Sequence, residues 1–284
     1  MSSHNIQQCK IHVGDPALKK IICLLLVCAL ALSLAGCGGD GGYKIKTLTT
    51  LVEQNYSIAF RVGDVLQYYV VAAIEELNAE GRVNELNRKW FGEELVRFTK
   101  NAKALEETGM PPEHKLLLGV DVNSFPLAYV QDGNYWGFDV ELAGSVCEKL
   151  GWTLKVIPIE KENVYNELAS GNIDVAWGGV ALSEDELEDG LYVQYGPYVK
   201  NDIVIAARDG SRVWNSSRLS GRNMAMCTSN EAMEALNTNE RLKKRLGQIT
   251  RLPGGTTECF SLLYSGGCDA VLTDSTAVAY YNSH

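Results

Sequence analysis

Residues 116–151, LLLGVDVNSFPLAYVQDGNYWGFDVELAGSVCEKLG, limit what this chain can fold into more than any other stretch. Leu116, Leu117, Leu118 and Val120 form a short apolar run that reads as a buried strand ending at Asp121. Asp132-Gly133 supplies a turn, because glycine takes positive φ without steric cost. Phe138, Leu142, Val146 and Leu150 then recur every fourth residue, with Val140, Ala143 and Cys147 beside them, so this segment presents one face of a helix that stops at Gly151. A strand, a polar loop carrying Asp121, Asn123 and Ser124, and a packed helix make the first half of a βαβ unit, whose ligands are met at the carboxyl end of the strand. Asp121 is thus a candidate ligand contact. Taken alone, it serves equally well as a turn cap.

The same pattern continues on both sides. Thr153 to Ile159 reads as a second strand, Val164 and Leu168 mark a short helix, and Ile173 to Trp177 is a third strand that Gly178 and Gly179 end. NDIVIAA from residue 201 is an extended segment leaving this first unit. Beyond it, Met224–Met226 reads as a strand, Thr228-Ser229-Asn230-Glu231 as a helix start, and Glu231 to Leu246 as helix. Ile249–Leu252 is a strand, Thr256–Tyr264 a helix, and Ala270–Asp274 a strand with an acidic end. Upstream, Ser57–Phe60 is a strand and Asp64 is placed to cap a helix running through Leu77. Val83, Leu86, Trp90 and Phe91 belong to a second helix, and residues 93–110 read as a surface helix ended by Pro111-Pro112. Two α/β lobes with strand ends and helix starts facing each other imply a ligand cleft between them.

The net charge of −9, without a Lys/Arg cluster, excludes a nucleic-acid backbone as partner. Histidines 4, 12, 114 and 284 are scattered or near the ends, so no metal site is expected, and no motif calls for a cofactor. No Gly-x-Ser-x-Gly elbow or placed histidine supports a hydrolase, and the chain is not expected to be an enzyme. Lys19-Lys20 precede a sixteen-residue stretch without charge, IICLLLVCALALSLAG, which is shorter than the roughly 20 residues a membrane helix needs and has the shape of a secretory signal. Leu34-Ala35-Gly36-Cys37 resembles a bacterial lipobox in which Cys37 carries lipid, with the glycines of residues 38–42 as a tether; an uncleaved anchor is the other reading. Either way the folded part lies in the cell envelope, outside the cytoplasm. Cys227 has Cys259 and Cys268 as candidate disulfide partners there, while Cys147 reads as a buried thiol.

The residues from 116 to 284 resemble the extracellular solute-binding proteins of the polar amino-acid type, the receptors of ABC importers. The segment around GVDVNSFPLAYVQDGNYWGFDVELAGSVCEKLG carries the likeness, with LASGNIDVAWGG, GPYV, LSGRNMAM and LYSGGCDAVLTDS in matching order. The resemblance implies a two-lobed periplasmic-binding-protein-like (type II) α/β fold with two hinge crossovers. It further implies a monomer, a small polar or cationic solute, and an ABC permease as membrane partner. YSIAFRVGDVLQYYVVAAIEELNAEGRVNELNRKWFG, which closes the chain in the family, here occupies residues 56–92, so the sequence is read as a circular permutation. The resulting map is a signal peptide at 1–36, a tether at 37–42, lobe I at 54–200, and lobe II formed by 43–53 with 204–284.

The resemblance also nominates the site. Asp121 and Asp274 match positions that receive a ligand amino group, and Ser124 or Phe125 the aromatic cover. Trp177, Gly178, Gly179 and Ala181 match the strand-end segment that receives a ligand carboxylate, here without its hydroxyls. Thr228, Ser229, Asn230 and Glu231 match a helix start that donates backbone N–H groups. Glu186 stands where the family places the arginine that clamps the carboxylate. Sign reversal there disfavours an ordinary α-carboxylate and makes an amine or other cationic solute a candidate, with Trp177 available for cation–π contact. A sensing or interaction module of the same fold, without transport, is the alternative function.

Overall fold

The computed structural model describes residues 43–109, 111–181, 190–227 and 230–284, with Cys227 and Asn230 described in their backbone only. The chain opens with strands β1 (Ile45–Val52) and β2 (Asn55–Arg61), then helices α1 (Leu66–Ala79), α2 (Arg82–Phe91) and the short α3 (Ala104–Thr108). β3 (Lys115–Val120) leads through a small meander of β4 (Asn123–Ser124), β5 (Ala128–Gln131) and β6 (Asn134–Trp136) into α4 (Phe138–Leu150). β7 (Thr153–Pro158), α5 (Val164–Ser170), β8 (Val175–Ala176) and the long β9 (Tyr192–Lys200) follow. The remainder is β10 (Ile203–Arg208), β11 (Met224–Cys227), α6 (Asn230–Thr238), α7 (Glu240–Lys243), β12 (Ile249–Leu252), α8 (Gly255–Tyr264), β13 (Ala270–Asp274) and α9 (Ser275–Ser283).

Alternation along the strands builds two sheets, each with a core on both faces. Tyr56, Ile58 and Phe60 of β2 point to the same side as Leu116, Leu118 and Val120 of β3, where α1, α2 and α4 cover them; Ala59 faces the opposite core under α5. Val204 and Ala206 of β10 join Val271 beneath α8 and α9, while Ile203, Ile205 and Ala207 face the core that α6 closes. The strand order is β7-β3-β8-β2-β9 in the first sheet and β1-β10-β13-β11-β12 in the second. In the first, β7, β3 and β8 are parallel and β2 runs against them; in the second, β12, β11 and β13 are parallel and β10 runs against them.

The chain passes between the sheets twice, and the two passages mirror each other. β1, an edge strand of the second sheet, continues into β2, the strand next to the β9 edge of the first; β9 continues into β10, the strand next to the β1 edge of the second. The two passages are tied together: the Gln54 N–H donates to Asp202 Oδ1 at 3.2 Å and the Asn201 N–H to the Gln54 carbonyl at 2.9 Å. The Asn201 carboxamide oxygen then accepts from the N–H and hydroxyl of Thr276, anchoring both to the start of α9. β2 therefore shares a sheet with β3, although a helical segment separates them in sequence.

Several local readings hold and three need correcting. Asp64 Oδ1 accepts the Leu66 N–H at 3.0 Å, as expected of a cap, and Asp132 and Gly133 take φ of 52° and 75° at the turn between β5 and β6. The expected surface helix over 93–110 is confined to Ala104–Thr108. Before it, the Asn87 side chain accepts from the N–H groups of Leu95 and Val96, and Phe98 stacks on Tyr195 and Tyr198, so side-chain contacts hold this stretch in irregular form. The strand expected over Ile173 to Trp177 is reduced to Val175–Ala176. The helix expected over Glu231 to Leu246 breaks at Asn239, whose side chain caps a new start by accepting the Leu242 N–H. Cys147 and Cys268 are buried thiols that burial pushes up to about 11, so neither is a thiolate at neutral pH. The proposed signal and tether, residues 1–42, lie outside the described residues. No described helix is long and apolar enough to cross a membrane.

Candidate functional site

The carboxyl ends of the parallel strands in both sheets converge on one cavity, together with the first residues of the two antiparallel strands. Its walls include Tyr56 at the start of β2, Asp121 after β3, Glu231 in the first turn of α6, and Thr273 and Asp274 at the end of β13. Both sheets contribute, as expected for a cleft at strand ends. The space is narrow: only ≈ 20 Å³ is open to the centre of a water molecule, about enough for one.

Asp121 is fixed from its own loop. Its N–H donates to the Gly178 carbonyl at 3.0 Å, and its Oδ1 accepts from the backbone and side-chain nitrogens of Asn123 at 2.9 and 3.1 Å. Burial raises its pKa, the two Asn123 hydrogen bonds oppose that, and the nearby Glu231 charge adds to it. Asp274 accepts from the Asn201 amide at 3.2 Å and is pushed up to about 7, first by burial and then by the Glu231 charge. Asp121 adds to that rise and Lys161 works against it. Tyr56, 2% exposed, has its phenol raised well above the ordinary value by burial and by the charges of Asp274 and Glu231.

Three carboxylates thus face one small space. Lys161, beyond the carboxyl end of β7, is their counter-charge: its Nζ forms an ion pair with Glu231 and lies 5.8 Å from the centroid of the Tyr56 ring. The Thr273 hydroxyl, on a side wall and only 4% exposed, has no hydrogen-bond partner among the described residues. A buried hydroxyl without a partner costs stability, and a polar ligand in this cavity would relieve it.

The sequence candidates divide on this geometry. Asp121, Ser124, Glu231 and Asp274 line the cavity. Gly179 lies against Ser124 and Asp121 of its wall: a Cβ there would fall 1.9 Å from Ser124 Oγ, so the absence of a side chain permits the close approach of the two loops, while Gly178 faces Ala128, Asp139 and Val120 instead. Ala181, just beyond them, packs on the first-sheet core. Trp177 does not reach the site. It is fully buried, and its indole N–H donates to Asp139 Oδ1 at 3.1 Å, which excludes the cation–π role expected of it. Phe125 is not in the wall of this cavity. Its ring packs against Tyr129, Tyr280 and Tyr281 and joins the core under α8 and α9. Glu186, Thr228, Ser229 and the Asn230 side chain lie outside the described residues, as does Cys37.

Tyr56 and Lys161 were not among the sequence candidates. Lys161 carried a usable signal, since it follows the carboxyl end of β7 just as Asp121 follows that of β3. Tyr56 carried none until β2 was known to join this sheet.

Known proteins resemble this chain in sequence. A probable amino-acid-binding protein of Bacillus subtilis, YxeM, is 25% identical over 132 residues, covering 46% of this chain and 50% of the relative. The cyclohexadienyl dehydratase of Pseudomonas aeruginosa is 34% identical over 59 residues, covering 20% of this chain and 22% of the enzyme. The matched stretches thus span half the length of these curated relatives or less. The substrate-binding protein of an ABC uptake transporter from Streptococcus pneumoniae, solved with bound histidine, is 26% identical with a TM-score of 0.44, covering 59% of this chain and 68% of that one. The family model for the bacterial extracellular solute-binding proteins, family 3, matches residues 116–276, more than half of the chain, and the chain belongs to that family.

Proposed function

We propose that this protein captures a small cationic solute, an amine or an amine-bearing amino-acid derivative, outside the cytoplasm and delivers it to an ABC importer. The observation that carries this reading is the acidity of the cavity: Asp121, Asp274 and Glu231 line it together with Tyr56, an arrangement suited to an ammonium group. Glu186, at the position where the family's carboxylate clamp is an arginine, supports it from the sequence. Lipid on Cys37 would hold the chain at the membrane, and residues 54–200 would form one lobe, with 43–53 and 204–284 forming the other. The tied passages at 53–54 and 201–202 would be the hinge, closing on the solute in proportion to its preference for the closed state. The order of elements is read as a circular permutation, because the β2–α2 segment that closes the chain in relatives precedes β3 here.

Thermal melting of the protein with a ligand panel tests the solute class. Diamines, betaines and basic amino acids should raise the melting temperature, since a ligand at about a hundred times its Kd adds roughly 2.7 kcal/mol of stability. If neutral or acidic α-amino acids stabilise the protein and the cations do not, the reading of the cavity is wrong. Asp274, pushed up to about 7, would also suit a general acid, and one relative is a dehydratase. Mass spectrometry of the same mixtures separates binding from turnover: an unchanged ligand supports a receptor.

A further inference from the structure

With water-sized space for about one molecule, the cavity has no room for a solute, and Lys161 is paired with Glu231 of its wall. Lys161 belongs to the first-sheet half, on the loop between β7 and α5; Glu231 belongs to α6, which covers the second sheet. Their ion pair therefore joins the two halves across the site. The Lys161 side chain is 20% exposed, with its ammonium on Glu231. Its charge favours the ionised forms of both Asp121 and Asp274, so one ammonium serves carboxylates from both halves. The ring of Tyr56 lies below it. The ion pair and the ring contact are ones that a ligand ammonium would make, and the unpartnered Thr273 hydroxyl in the cavity wall marks a contact that Lys161 does not supply.

We propose that Lys161 is a tethered stand-in for the cationic ligand: it latches the empty cleft through Glu231, and a solute binds by displacing it. This rests on the cationic reading of the site and adds how occupancy is controlled. A lysine suits the part, being a point charge on a flexible four-carbon stem. A ligand must outcompete it with a better-fitting cation or a second polar group for Thr273, so simple monoamines are rejected and larger, multiply anchored cations selected.

The test compares wild type with Lys161→Met and Lys161→Arg. Without solute, small-angle scattering should find the Lys161→Met protein more open than wild type, because the ion pair that joins the two halves through Glu231 is gone, and Lys161→Arg close to wild type. Millimolar n-butylammonium should raise the melting temperature of Lys161→Met and restore its compactness, with little effect on wild type. For any cation that binds wild type, Lys161→Met should bind at least about tenfold more tightly, the factor expected when the latched state holds nine-tenths of the empty protein. If Lys161→Met is as closed as wild type and ignores n-butylammonium, there is no latch. If it binds solutes more weakly, Lys161 is instead a direct ligand contact. The scattering and n-butylammonium arms use no natural solute, so the latch can fail while the panel still identifies a cation, or hold while the panel identifies none.

Discussion

Asp139 is a carboxyl group with no solvent exposure, held between the Trp177 indole at 3.1 Å and the Tyr198 hydroxyl at 2.8 Å. Burial pushes its pKa up to about 7 although both hydrogen bonds act in the other direction. The unfolded chain loses this proton near pH 4, whereas the folded protein keeps it to about pH 7. Across that window the native state holds the extra proton, so the contribution of Asp139 to stability falls as pH rises and levels off above about 7. Asp139→Asn removes the titration and keeps the acceptor for Trp177. Its melting temperature relative to wild type should therefore improve from pH 5 to pH 8 by at least about 3 °C, using roughly 2–4 °C per kcal/mol for a domain of this size. A difference that stays constant with pH would mean that Asp139 is ionised throughout. The same pair explains why Trp177 was misread: a tryptophan at a strand end next to two glycines looks available to a ligand, but a buried indole N–H needs a partner, and that partner lies in α4, 38 residues earlier in the chain.

At the scale of elements, the site depends on how closely the strand-end loops approach. Gly179 sits at φ 84° with Ser124 Oγ 1.9 Å from where a Cβ would stand. Gly179→Ala would force the loop after β8 away from the Asp121 loop in addition to straining the backbone. We expect a loss of about 1–3 kcal/mol in urea unfolding and a clear loss of solute affinity. Unchanged affinity would show that the Asp121 loop does not need this support. The elements themselves were largely legible, because periods of two and four in apolar residues survive in any context, and glycine and proline mark their ends. Asp121, Glu231 and Asp274 were legible for the same reason: each stands where a strand ends or a helix begins. The 93–103 stretch was not, since the Asn87 side chain and the Phe98 stack that hold it lie elsewhere in sequence. Tyr56 was hidden likewise. Which strand lies beside β8 is a question of tertiary pairing that no local pattern answers.

At the scale of the whole molecule, the order of elements along the chain is separable from their order in space. The Ile45 N–H donates to Asn282 Oδ1 at 2.7 Å, and Asn282 Nδ2 returns a bond to the Ile45 carbonyl at 3.0 Å, so the start of β1 and the end of α9 are neighbours. Residues 43, 44, 283 and 284 lie between these points in sequence, and joining them closes a loop with little added entropy. On the proposed permutation, the opposite break falls between α3 and β3. A rearranged chain in which 111–284 is followed by a two-glycine link and then 43–109 keeps both passages between the sheets, the Asn87 contacts and every cavity residue. It should fold with a melting temperature within a few degrees of the parent and bind the same solutes with affinities within about threefold. Failure to fold would show that the link over 93–115 guides assembly and does more than connect. Folding with lost affinity would instead place the fault in the passages between the sheets, where β1 runs to β2 alongside the passage from β9 to β10.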